Sequence, residues 1–259
     1  MIRIEFRKLI KFGNSSHVIS LPQRWLKNNN LNKGNLIYLT ENGNGELILS
    51  PQLKEEKEEL KEITINIDNK DMTRIKREIV SSYLNGYNTV KIVGSDLSKN
   101  AKMIGDEIHN LMAFEIMEQT KEKMIIRDFL NMGEISIKDL VRKMDIITRT
   151  IISDLRILPE VGCNIEEIVN RDKSVNRIYF VIIRMIRHAL EDANFAKKIN
   201  LTQSELSVYW NIAHHIEGIA DEVKRIVEIG KKSKIPKDAT KDLFELFCNV
   251  ENDYSEAMK

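Results

Sequence analysis

Ala213-His214-His215-Ile216-Glu217-Gly218-Ile219-Ala220-Asp221-Glu222-Val223-Lys224-Arg225-Ile226 places apolar residues three or four positions apart, the repeat of a helix with one buried face. The spacing continues outward, back through Leu206, Tyr209 and Trp210 and on to Val227, which predicts one long helix. Upstream, Ile137, Leu140, Val141, Met144, Ile147 and Ile151 mark a first helix, and Val175, Tyr179, Ile182, Met185, Ile186 and Ala189 mark a second. Downstream, Pro236 opens a last helix with Leu243, Leu246, Phe247, Val250 and Tyr254 on its apolar face. Breaks fall at Pro159 to Gly162, near Asn200-Leu201-Thr202 and at Gly230 to Ile235. Connections that short predict an antiparallel helical bundle over residues 133–259.

Before that segment the period changes from about 3.6 to 2. Glu62 to Ile67, Thr89 to Val93, Phe114 to Glu118 and Lys123 to Arg127 alternate as strands, while Asp71 to Leu84 and Lys99 to Met112 have helical spacing. The resulting β-α-β-α-β-β order predicts a small α/β sandwich over 62–131, with its helices on one sheet face. Residues 53–61 contain Lys-Glu-Glu-Lys-Glu-Glu and read as a charged linker. Residues 1–52 read as a separate β-rich module. Met1 to Phe12 and His17 to Leu21 are strands around the Gly13-Asn14-Ser15-Ser16 turn, and a short helix starts at Pro22. Leu36 to Thr40 and Glu46 to Leu49 then flank the hairpin signal Asn42-Gly43-Asn44-Gly45.

Composition limits the function classes. The 259 residues are 42% hydrophobic and 31% charged, a globular balance with room for one to three domains. Two cysteines, Cys163 and Cys248, exclude a disulfide scaffold and a cysteine-based zinc site. The most apolar run, Ile178 to Ile183, is far shorter than the roughly 20 residues of a membrane span, and Met1-Ile2-Arg3-Ile4-Glu5 has no apolar leader core. A cytoplasmic location and no membrane insertion are therefore expected. The 40 basic and 39 acidic residues give a net charge of +1, so any nucleic-acid site must be a local concentration of charge.

The N-terminal module has that concentration. Arg3, Arg7, Lys8, Lys11, Arg24 and Lys27 meet Glu5 as the sole acid over the first thirty residues. The order Arg7-Lys8-Leu9-Ile10-Lys11-Phe12-Gly13-Asn14-Ser15-Ser16-His17-Val18-Ile19-Ser20-Leu21-Pro22, followed by Trp25-Leu26, Leu31, Lys33-Gly34-Asn35 and Leu47-Ile48-Leu49, resembles the AbrB/SpoVT swapped-hairpin family. That resemblance implies an intertwined homodimer that binds double-stranded DNA, with Arg7, Lys8, Lys11, Ser15, Ser16 and Arg24 as the DNA-facing residues. Asn35 stands where that family usually has Asp, a replacement a turn accepts. A module of about fifty residues buries little core alone, which independently favours dimerisation.

In the helical segment, Glu217 and Asp221 are four apart and share a helix face that could ligate a hard cation. Of the adjacent His214 and His215, one is expected to face the bundle and the other solvent. The stretch from Ala213 to Ile226 resembles the E-x-x-x-D helix of the PhoU family, and Asp172-Lys173-Ser174-Val175-Asn176-Arg177-Ile178-Tyr179-Phe180 resembles that family's archaeal-type upstream motif. The resemblance implies a helical regulator of phosphate uptake, often preceded in archaeal relatives by an AbrB-like module. It also implies a divalent or ferric metal ion at Asp172, Glu217 and Asp221, with Asp145 as a further candidate ligand. Asn176 replaces an acid of the motif, and Arg177 is expected to hold the remaining acids as an ion pair if no metal does.

No G-x-S-x-G, H-E-x-x-H or glycine-rich phosphate loop is present, so catalysis is not expected and the middle domain reads as a spacer or regulatory element. Two functions are expected from these readings, ahead of a third, a metal-binding accessory protein. One is a dimeric DNA-binding transcriptional regulator of phosphate homeostasis whose helical domain senses a signal or partner. The other is an adaptor that binds a transporter or sensor protein and uses the N-terminal module only to dimerise.

Overall fold

The computed structural model describes residues 5–41, 45–52, 60–155, 165–232 and 237–259. The chain forms two compact units, Met1–Glu58 and Glu59–Lys259. The hairpin signal at 42–44, most of the expected linker and the break at 159–162 lie outside the described residues.

The first unit has two antiparallel hairpins and one short helix. β1 (Ile10–Phe12) pairs with β2 (Ser16–Val18) in the register Ile10 to Val18 and Phe12 to Ser16. The turn between them needs the positive φ of Gly13, at 68°. α1 (Gln23–Asn28) follows Pro22, which occupies the cap position and, lacking an N–H, leaves no donor unpaired there. β3 (Tyr38–Glu41) pairs with β4 (Leu47–Ser50), as the hairpin signal predicts. The strands are shorter than their apolar runs, and none of the described residues of this unit is buried.

The second unit opens with β5 (Glu62–Asn66), α2 (Met72–Leu84), β6 (Thr89–Val93), α3 (Leu97–His109), β7 (Phe114–Gln119) and β8 (Lys123–Asp128). These strands form one sheet in the order β5-β6-β8-β7, parallel between β5 and β6 and antiparallel elsewhere. Alternation sends Ile65, Val90, Ile92, Met124 and Ile126 to one face, where they pack with Ile75, Ile79 and Tyr83 of α2 and Ile104 and Ile108 of α3. The helices therefore cover one sheet face. Asp71 caps α2, its carboxylate accepting from Arg74 N at 2.8 Å.

The helical segment consists of α4 (Ile137–Leu155), α5 (Ile165–Glu191), α6 (Ala193–Lys198), α7 (Gln203–Lys232) and α8 (Lys237–Ala257). α4, α5 and α7 pack on one another around Met144, Ile151, Val175, Ile182, Ala213 and Ile216, and α8 lies along α4. Arg149 fixes that last contact. Its guanidinium pairs with Asp145 at 2.9 Å, donates to Ser255 Oγ at 2.9 Å and lies over the Tyr254 ring. The short α6, capped by Asp192, is an element that the spacing does not announce. None of the described helices is long and apolar enough to cross a membrane.

The sequence places a boundary between 131 and 133, yet α5 also packs against α2 within the second unit. From Val181 to Ile186 every residue of α5 is buried, so this stretch has no solvent face. Arg184, 2% exposed, pairs there with the Asp128 carboxylate at the end of β8. Its guanidinium lies 4.7 Å from the centre of the Tyr83 ring, which faces the charge in place of water. Nearby, Arg187 donates to Asn85 Oδ1 at 2.7 Å. Removing one member of a buried pair leaves the other charge uncompensated. Asp128→Ala is expected to lower the stability measured by urea unfolding by about 3–5 kcal/mol, and Arg184→Met combined with Asp128→Leu by much less.

Candidate functional site

The residues singled out by sequence fall in two places, one in each unit. In the first, Lys8, Lys11, Ser15, Ser16 and Arg24 are all exposed. Lys11 pairs across the hairpin with His17 and shares its face, while Ile10, Phe12 and Val18 project from the other. Ser15 lies in the turn and Ser16 opens β2. Arg24 is on α1. Arg7 is already engaged, pairing with Glu5 at 2.6 Å and donating to the Phe6 carbonyl. Around these charges lie large exposed apolar side chains, among them Phe6, Leu9, Phe12, Leu36, Leu39 and Leu47.

In the second unit, α5 brings Asp172 and Asn176 against the α7 face that carries Glu217, Asp221 and Lys224. The cation that meets the acids is Lys224. Its ammonium donates to Asp172 Oδ2 at 2.9 Å and to Asp221 Oδ1 at 2.5 Å. Arg177 is exposed, and among the described residues no ion pair joins it to these carboxylates, which corrects the expectation that it holds them. Asp145 belongs to the α4–α8 clasp with Arg149 and is no part of this cluster. The Asn176 amide lies 3.4 Å from Asp172 Oδ2, at the edge of a hydrogen bond.

Burial sets the electrostatics of the cluster. Asp172 is 2% exposed, and its Oδ1 has no hydrogen-bond partner among the described residues. Burial pushes the Asp172 carboxyl up, with the Lys224 ammonium pulling against it and Asp221 and Glu228 adding to the rise. Glu217 is also raised, by burial first and then by Asp221. Burial lowers Lys224, but its hydrogen bonds to Asp221 and Asp172 outweigh that and hold the ammonium above its ordinary value.

The acidic motif does not suit a metal ion. One oxygen of Asp172 and one of Asp221 already receive the ammonium, and the neutral Asn176 supplies no charge. Among the described residues, no group of three or more His, Cys, Asp or Glu side chains is placed to hold a metal.

His214 and His215 depart from expectation in that both are exposed. His214 Nδ1 lies 3.4 Å from the Tyr179 hydroxyl, and the two imidazoles lie side by side. Both border a feature with no sequence signal beyond exposed apolar positions. This is an open groove of about 560 Å³ between the end of α4, α7 and α8, lined by Leu155, Ile219, Ile226, Leu246, Phe247 and Val250, with Glu222 among its polar groups. The groove is mostly apolar with few polar groups, the usual make-up of a ligand or partner site.

None of the family models, curated proteins or solved structures compared with the chain matches it.

Gly218 forms part of the groove wall, in the interior of α7, where glycine costs a helix up to about 1 kcal/mol relative to alanine. A Cβ there would meet nothing within 4 Å. Gly218→Ala is therefore expected to raise stability by about 0.5–1 kcal/mol in denaturant unfolding while narrowing the groove.

Proposed function

We propose that the chain is a dimeric, DNA-binding transcriptional regulator of phosphate uptake, in which an AbrB/SpoVT-like module precedes an archaeal-type PhoU-like helical domain that senses a signal or partner. The observation that carries this reading is the first unit's surface. It presents Lys8, Lys11 and Arg24 to solvent, and none of its described residues is buried. Phe6 at 91% exposure, Leu36 at 75% and Leu9 at 70% forfeit hydrophobic stabilisation that a second copy would restore. Exchange of hairpins between two chains would cover such side chains while leaving the basic ones outward. Lysine and arginine then neutralise phosphates, and the hydroxyls of Ser15 and Ser16 donate to phosphate oxygens. The reading assigns no catalysis to the chain.

The groove between α4, α7 and α8 favours a second reading. In that reading the helical part is an adaptor docking a transporter or sensor protein, and the N-terminal module serves dimerisation alone.

Titration of the full chain with duplex DNA at several salt concentrations separates the two. The regulator binds a selected genomic fragment on the order of a thousandfold more tightly than scrambled duplex. Lys11→Ala with Arg24→Ala weakens binding to every duplex and reduces the salt slope by about 0.9 for each phosphate left without its cation. An unchanged slope removes these side chains from the phosphates, and absence of binding at physiological salt favours the adaptor.

A further inference from the structure

We infer that Lys224 is the resident cation of the acidic site between α5 and α7, an ammonium built into the chain that takes the place of a bound metal ion and makes the clasp between these helices independent of metal. This assignment depends on the geometry of the second unit and stands whether or not the first unit binds DNA.

Three observations converge. The first is position: Lys224 Nζ lies 2.9 Å from an oxygen of Asp172 on α5 and 2.5 Å from one of Asp221 on its own helix, so one ammonium bridges the two helices. The second is burial. Asp172 is nearly inaccessible, and the Lys224 side chain is 24% exposed, so the attraction is screened less than in a surface pair. The third is donor chemistry. Asn176 contributes a neutral amide beside Asp172 where a metal cluster would want another carboxylate. A divalent ion entering here would have to displace an ammonium that is covalently tethered to the site and hydrogen-bonded to both helices.

The test is thermal unfolding of the full chain at pH 8, in EDTA and in 1 mM Mn²⁺. Wild type melts at the same temperature in both. Lys224→Ala leaves the Asp172 charge buried without a partner, and its melting temperature in EDTA falls on the order of 10 °C. Adding Asp172→Asn to Lys224→Ala removes the orphaned charge and recovers most of that fall, which a general packing defect at position 224 would not allow. The inference is overturned if Mn²⁺ stabilises wild type, if metal analysis of the purified wild-type protein finds a stoichiometric ion, or if Lys224→Ala in EDTA melts like wild type.

Discussion

A guanidinium that cannot reach water must keep its carboxylate, and in this chain that requirement joins a sheet to a bundle. Arg184 projects from the fully buried stretch of α5 onto Asp128 at the end of β8, with the Tyr83 ring against its face. Its Nε and Nη1 have no hydrogen-bond partner among the described residues, so the ion pair and the ring supply most of its compensation. Sliding α5 past α2 would strand the buried charge, which is costly. The same ring is itself fixed: Tyr83 donates to the Met112 carbonyl at 3.1 Å, and burial pushes its hydroxyl up to about 12, so it remains a neutral donor under ordinary conditions. The second unit thus behaves as one body in which α5 serves two cores.

Much of this architecture was legible in the sequence because its signals are periodic. Strand β6 spans Thr89 to Val93 as the alternation indicates, and α2 begins one residue after the capping Asp71. Failures occur where local charge hides the period. α5 starts ten residues before the expected Val175, since Glu166, Glu167, Arg171 and Asp172 mask Ile165 and Ile168. α6 is too short to show a repeat. The junction at Arg184 was not legible at all. It depends on a contact to a residue 56 positions away, and an arginine within an apolar run reads as an interruption until its partner is known.

The site divides along the same line. Local spacing correctly grouped Glu217 with Asp221, and charge counting found an exposed basic surface on the first unit. Spacing could not reveal which cation serves the acids, because the decisive bridge runs from Lys224 to Asp172, 52 positions apart. Arg177 is nearer to Asp172 in sequence but lies on the exposed side of α5. One signal was available: Lys224 is three residues after Asp221, and pairs at that spacing face each other on a helix. The two adjacent histidines misled for a related reason. On a 30-residue helix packed on part of its circumference, neighbours 100° apart can both fall on the open side.

These constraints limit how a signal could be transmitted. A ligand shifts a conformational equilibrium only through a difference in its binding free energy between two arrangements, and a tenfold effect needs about 1.4 kcal/mol of it. The acidic cluster offers little of that, because two of its carboxylates are already hydrogen-bonded to an ammonium of the chain. The seam between sheet and bundle offers little either, since moving it breaks a buried ion pair. The groove between α4, α7 and α8 is different: Leu246 and Val250 of α8 line it beside Ile219 and Ile226 of α7, so an occupant there gains apolar burial without breaking an ion pair.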